Sequence, residues 1–320
     1  MNRMTLPAGS ALLLAAFFST SVNASCGSAY CTVNSDWTTE GAITETGMVL
    51  DLRYEFINQN QPRAGTKNVA VGEIPHHHDE VSTANRNLLL TYSLSMDEHW
   101  GVSIVAPIVQ RNHFHIHHHR DEQVPERWSF TELGDLRVVG RYQVQGPNAE
   151  RPSAAGLTFG LKLPTGRTNI ANSDGDVAER TLQPGSGTTD GIIGAYYHEQ
   201  IPAWNGAWFA QVQYQRALNS SADFKPGDRF GADIGYRQRI TEQLAALIQV
   251  NLSVKGRDSG AQAEPDDSGF KNVSLSPGLS LAVTDSLQAY GFVQVPVYQN
   301  VNGVQLTSSR AYVVGVGGRF

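Results

Sequence analysis

The sequence predicts an all-β protein, an antiparallel transmembrane β-barrel of about 12 strands. Three observations predict it. From Gly47 onward about twelve segments alternate apolar and polar residues with a period of two, each near the roughly 9–11 residues that a tilted membrane strand needs. The polar side of these segments carries full charges. In 48–56, Met48, Leu50, Leu52, Tyr54 and Phe56 fall on one side and Asp51, Arg53 and Glu55 on the other, a second face that no soluble core accepts. Beyond residue 24 no apolar run approaches the roughly 18 residues of a membrane helix, so spanning by helices is excluded.

Taken in order, residues 1–24 read as a secretory signal peptide. Arg3 precedes an apolar run over 11–18, and small and polar residues follow, ending in Val22-Asn23-Ala24. Lipid attachment at Cys26 is the weaker reading, because Asn23 stands where a large aliphatic residue is usual. Residues 25–46 form a periplasmic N-terminal segment. Its Cys26 and Cys31, the two cysteines of the chain, favour a small disulfide loop over a metal site in an oxidising compartment. Residues 47–320 are the barrel. The formal net charge of −6 argues against nucleic acid as a partner. The partners expected are the lipid bilayer, the barrel-assembly machinery and a small solute or metal ion.

After 48–56 come 87–95 and 100–109, joined by the tight turn Met96-Asp97-Glu98-His99, then 133–144, 157–163, 190–198 and 207–218. The clearest alternation lies in 230–240 and 244–254, where Leu244, Ala246, Ile248, Val250, Leu252 and Val254 oppose Gln249, Asn251 and Ser253. Segments 273–283, 287–297 and 305–320 complete the set. Pro107, Pro277 and Pro296 fall inside these segments, and each predicts a bulge or a misplaced boundary, because proline removes a ladder donor. Connections after odd strands are long and those after even strands short. That is the pattern of a bacterial barrel with both termini in the periplasm. A secreted β-sandwich or propeller of the same strand count is the competing reading. Against it stand the polar inner face and the final Phe320, an ending that resembles the C-terminal assembly signal of bacterial outer-membrane barrels. Gly318 departs from that signal, which often has an aromatic there. Trp100, Trp208, Tyr236 and Tyr312 fall near strand ends on the lipid-facing side, where headgroups lie.

Eight of the ten histidines form two clusters, His76, His77 and His78, then His113, His115, His117, His118 and His119. Both clusters fall in long connections of neighbouring hairpins and should meet at one side of the mouth. If the strand from Trp100 continues past the membrane, Phe114 and Ile116 keep to the lipid side. Arg111, His113, His115, His117 and His119 then face the lumen. Imidazoles two apart on a strand stand about 7 Å apart along the chain, close enough to share an ion. Neutral imidazole is a common ligand of zinc, copper and nickel, and Asp79, Glu80, Asp121 and Glu122 are carboxylates within reach in sequence. The alternative is a solvated polar loop whose histidines titrate and bind nothing specific.

A second group lies on the inner wall: Asp51, Arg53, Glu55, Asp135, Arg137, Arg141, Lys162, Asp233, Arg237, Arg239 and Lys255. Charges of both signs line a pore that selects what passes, or else close the lumen as a salt-bridge lattice; the pore is the favoured reading. No Gly-x-Ser-x-Gly elbow, His-Glu-x-x-His or phosphate-cradling loop is present, so no catalytic residue is assigned and an enzyme is not expected.

Glu132-Leu-Gly-Asp135-Leu-Arg137, the stretch from Gly156 to Pro164-Thr-Gly166, and Gly185-Ser-Gly187-Thr-Thr-Asp190 carry a further signal. Across 132–197 the chain resembles the outer-membrane family named for the meta-pathway of phenol degradation. The resemblance implies a barrel acting as a channel or transporter; the histidine clusters lie outside it. The function expected is an outer-membrane channel or transporter for a small solute, with a His-rich mouth that binds or passes transition-metal ions. The alternatives are a metal-binding surface protein anchored by a barrel, and a structural sheath around a partner protein.

Overall fold

The structure, a computed structural model, describes residues 46–74, 79–119, 122–147 and 152–320. The expected signal peptide, Cys26, Cys31, His76, His77, His78 and Asp121 lie outside the described residues, as do the side chains of His118, His119 and Glu122.

The strands run β1 (Gly47–Ala64), β2 (Lys67–Asn68), β3 (Asp79–Ser95), β4 (Trp100–His119), β5 (Glu122–Leu133), β6 (Arg137–Gln145), β7 (Ser153–Lys162), β8 (Asp190–Ile201), β9 (Gly206–Ala217), β10 (Arg229–Arg239), β11 (Leu244–Lys255), β12 (Phe270–Ala282), β13 (Leu287–Val301) and β14 (Val304–Arg319). All but β2 and β5 join in sequence order as antiparallel neighbours, and β14 pairs back onto β1 from Val49↔Arg319 to Ala64↔Val304. The result is a closed antiparallel barrel of twelve strands, and each expected segment overlaps one of them, with ends displaced by a residue in several cases and by four at the start of 133–144, where β6 begins only at Arg137. Closure removes the free edges that an open sheet would expose to lipid. At the seam the Met48 and Phe320 backbones exchange hydrogen bonds of 3.1 and 2.9 Å. Among the described residues no helix is long and apolar enough to cross a membrane.

Every barrel strand turns apolar side chains outward. Leu52, Ile104, Ile234, Leu279 and Val314 are all exposed, whereas the buried residues are largely polar or charged. This inverts the distribution of a water-soluble protein and matches a lipid-facing belt around a polar interior. Trp100 packs on Tyr142 (4.8 Å between ring centroids) and Tyr197 on Trp208 (4.9 Å), all near the end that carries the short turns. The first of those turns is held by Asp97, whose Oδ1 accepts the N–H groups of His99 (2.8 Å) and Trp100 (2.7 Å). On the inner face, bulky rings cover glycines of the next strand: Phe209 lies opposite Gly235, Phe292 opposite Gly278 and Tyr290 opposite Gly315. A Cβ added at any of these glycines would stand 2.3 to 2.4 Å from the ring.

The expected long connection over 110–131 is corrected. β4 runs on to His119 and returns as β5, because its alternation continues past the roughly ten residues a membrane strand needs and the returning chain satisfies its ladder. The histidines from His113 onward in this cluster therefore stand on a strand and not in a loop. β5 and β6 form one interrupted strand beside β4, with β5 pairing 108–119 and β6 pairing 100–105. Pro107 sits at the interruption, where a missing N–H costs the ladder nothing, and its carbonyl accepts the Gly134 N–H at 2.8 Å. Pro296 lies at the register shift between Val273 and Ser274, and the β12–β13 ladder skips Pro277.

Candidate functional site

Most of the expected wall residues have identifiable partners inside the barrel. Both carboxylate oxygens of Asp51 accept the Tyr290 hydroxyl (3.0 and 2.9 Å). Arg53 pairs with Glu55 at 3.2 Å, and Glu55 also accepts Asn87 at 3.2 Å. Arg137 donates to Gln215 (3.1 Å) and Arg141 to Ser95 (3.0 Å). Asp233 accepts Gln211 and Asn251, and Lys255 holds Asp258 at 2.7 Å. Arg237 neighbours His198, and Arg239 is exposed at the strand end.

Asp135 and Lys162 do something the alternation did not foretell. Asp135 stands in the break between β5 and β6 and binds Lys162 (2.9 Å), which also reaches Asp190 (3.2 Å). The same carboxylate accepts the Gly166 N–H (3.0 Å), the Ser186 N–H (2.9 Å) and the Ser186 hydroxyl (2.9 Å). It thereby ties both ends of connection 163–189 to the inner wall. Further along, Arg111 donates to the Leu182 carbonyl (2.6 Å) and the Trp128 indole to the Asp176 carbonyl (2.9 Å). Trp128, Ala178 and Leu182 bury one another. Because Arg111, Trp128, Asp135 and Lys162 all project inward, this connection is folded into the barrel mouth. The two glycines of Gly185-Ser-Gly187 suggest a flexible loop, yet Ser186 is fully buried, since backbone polar groups taken out of water must find acceptors and Asp135 provides them.

The second group is a row across β3, β4 and β5. Register sets Glu80 opposite His115 and Thr83 opposite His113 on one side. On the other side it sets Glu126 opposite His115 and Trp128 opposite His113. His113 and His115 are buried on the inner face, while Phe114 turns outward under the Arg127 guanidinium, 3.7 Å from its ring centre. A chain of hydrogen bonds runs through the row. Thr83 Oγ1 meets His113 Nδ1 at 2.8 Å, His113 Nε2 meets His115 Nδ1 at 3.2 Å, and His115 Nε2 meets Glu126 at 2.8 Å. Glu80 Oε2 lies 4.0 Å from His113 Nε2. Two ligand sets result, Glu80 with His113 and His115, and His115 with His117 and Glu126.

Burial pushes the His113 imidazole well below its ordinary range, and His115 and Arg111 add to the fall. Burial lowers His115 as well, against the opposing pull of Glu126. Both rings are therefore neutral at pH 7, the form that binds metal ions. Beside Glu80, burial and the neighbouring carboxylates Glu80, Asp267 and Asp258 raise the Glu264 carboxyl well above its ordinary range. Glu126, Thr83 and Trp128 escaped the sequence reading. The signal was the period-two pattern Val124, Glu126, Trp128, Phe130, legible only once 122–133 is taken as a returning strand.

The sequence matches no family model and no curated protein, so the family resemblance rests on its short motifs. Among solved structures, an outer membrane channel from Pseudomonas putida F1 superposes with a TM-score of 0.66 at 12% identity, over 89% of this chain and 100% of that one. The fold is that of an outer-membrane barrel. The translocator domain of the autotransporter NalP from Neisseria meningitidis is a more distant likeness, with a TM-score of 0.46 at 9% identity over 87% of this chain and 90% of that one.

Proposed function

We propose that this protein is an outer-membrane channel for a small solute, with both termini on the periplasmic side and an outward mouth whose histidine row binds a transition-metal ion. The observation that carries the channel reading is the closed barrel with apolar residues outward and charged residues inward. A protein that used its barrel only as an anchor would have no need of charges of both signs along the wall, each costly to desolvate. The similarity to a solved channel supports the same reading. Connection 163–189, docked against Asp135 and Arg111, narrows the mouth in this reading, so the route past it is small and polar.

The test is conductance. Folded protein in planar bilayers is expected to give discrete current steps, and neutralising Arg53, Arg137 or Arg237 should shift the ion preference away from anions. Silent bilayers with protein that still migrates as a folded barrel on unboiled gels would favour an anchor for a metal-binding surface.

A further inference from the structure

We propose that Glu80, His113 and His115 form a mononuclear site for a zinc-class divalent ion, bound through Glu80 Oε2, His113 Nε2 and His115 Nδ1. This deepens the metal-binding part of the function proposed above by naming the ligands, and it selects one of two overlapping triads.

The donor geometry comes first. Ligands at about 2.0–2.1 Å in a tetrahedron stand roughly 3.3 Å apart. His113 Nε2 and His115 Nδ1 are 3.2 Å apart, and Glu80 Oε2 is 4.0 Å from His113 Nε2, so the set needs little movement to close on an ion. The three ligands are all buried. They are held by the register of β3 against β4, which gives the site the rigidity of a sheet.

The second shell is what distinguishes this triad. A metal-ligating histidine donates its other N–H to a carboxylate or another oxygen, which fixes the tautomer and the ring. With the ion on Nε2 of His113, the opposite Nδ1–H points at Thr83 Oγ1, 2.8 Å away. With the ion on Nδ1 of His115, the opposite Nε2–H points at Glu126, 2.8 Å away. Both outer partners are already in place. In the competing triad His115 must use Nε2, and Glu126 becomes a ligand instead of the group that orients the ring. In that arrangement His115 Nδ1–H donates to His113 Nε2, so a neutral imidazole orients the ring where a carboxylate does in the inner triad. Trp128 closes one side of the pair, 5.7 Å from the His113 ring and 5.0 Å from the His115 ring, and excludes water there.

The surroundings also suit a cation: the carboxylates of Glu80, Asp267 and Asp258 lie close enough together to act jointly on the buried Glu264 carboxyl. A divalent ion at the triad would offset the negative charge collected on this side of the mouth. Two nitrogens and one carboxylate oxygen leave a fourth position for water, and that donor set suits zinc and accepts copper or nickel.

The test is titration calorimetry of the full folded barrel in detergent with zinc alone, with unboiled gel migration as proof that each variant has folded. Binding at about 1 μM or tighter is expected. Glu80→Gln and His115→Ala should abolish it, and Glu126→Gln should weaken it by roughly 10- to 100-fold. His117→Ala and alanine at His76, His77 and His78 should leave it unchanged. Cobalt in place of zinc should give the intense visible absorption of a four-coordinate ion, lost in Glu80→Gln. If His117→Ala removes binding while Glu80→Gln does not, the outer triad is the site and this proposal is wrong. If all of these variants bind as the parent does, or the parent binds no zinc, it is also wrong. A conducting barrel that ignores zinc would leave the channel reading standing, and a silent one that binds it at this triad would do the reverse.

Discussion

Replacing Asp135 by alanine should release connection 163–189 from the barrel mouth. The carboxylate accepts four hydrogen bonds, from Lys162, the Gly166 N–H, the Ser186 N–H and the Ser186 hydroxyl. Two of the donors have somewhere else to go. Lys162 keeps Asp190 at 3.2 Å, and the Ser186 hydroxyl can turn to Thr188 Oγ1 at 2.9 Å. The two backbone N–H groups have no such alternative, and a buried donor left without an acceptor costs about 1–3 kcal/mol. The loss is therefore about 2–6 kcal/mol, which at roughly 1.4 kcal/mol per decade lowers the docked population by about 30-fold or more. Arg167 and Arg180 lie in this connection, so trypsin should cut there in Asp135→Ala and spare the parent. The conductance step should rise in parallel. Asp135→Asn keeps one acceptor oxygen and should fall between the two. If Asp135→Ala resists trypsin as the parent does and conducts no more, the carboxylate does not hold the connection in place.

Two other outcomes follow from the same geometry. Leu52 is 42% exposed on the outer face of β1, and Leu52→Arg there should cost about 2–4 kcal/mol of folding into vesicles, measured by urea unfolding; an unchanged midpoint would mean that Leu52 does not face lipid. The second concerns acid. His113 and His115 have folded-state affinities for protons below the ordinary value of about 6.5, so both folded and unfolded chains hold them neutral above that pH. As pH falls below about 6.5 the unfolded chain takes up protons that the folded rim, with Arg111 and His117 beside it, refuses. Stability is therefore full above that pH and lost progressively towards the folded values. Urea midpoints should drop between pH 7 and 5, less so in His113→Asn, and equal slopes in parent and variant would contradict the burial argument.

Strand count, strand positions and the assignment of faces were legible in the sequence. They depend on period two, a property of neighbouring residues that needs no knowledge of what lies across the sheet. Parity alone put His113, His115 and His117 on the inner face and Phe114 and Ile116 on the outer, and the side chains of His113, His115 and Phe114 lie so. The same pattern placed Asp135 and Lys162 inward without revealing that they clasp a connection, because a loop has no period to read.

What parity cannot supply is the row. Glu126 meets His115 because the β4–β5 hairpin sets its register, and Glu80 meets His113 because β3 lies on the other side with a bulge between Glu80 and Ser82. The expected carboxylate Glu80 is joined by Glu126, which lies eleven residues from His115 along the chain. Cross-strand neighbours are set by register and closure, which are global properties of the sheet. The burial that lowers the histidines, the pairing of Lys162 with both Asp135 and Asp190, and the docking of 163–189 all depend on the same closure. The sequence by itself determined which residues face inward; only the closed barrel decided which of them touch, because a side chain's face is a local matter and its neighbour is not.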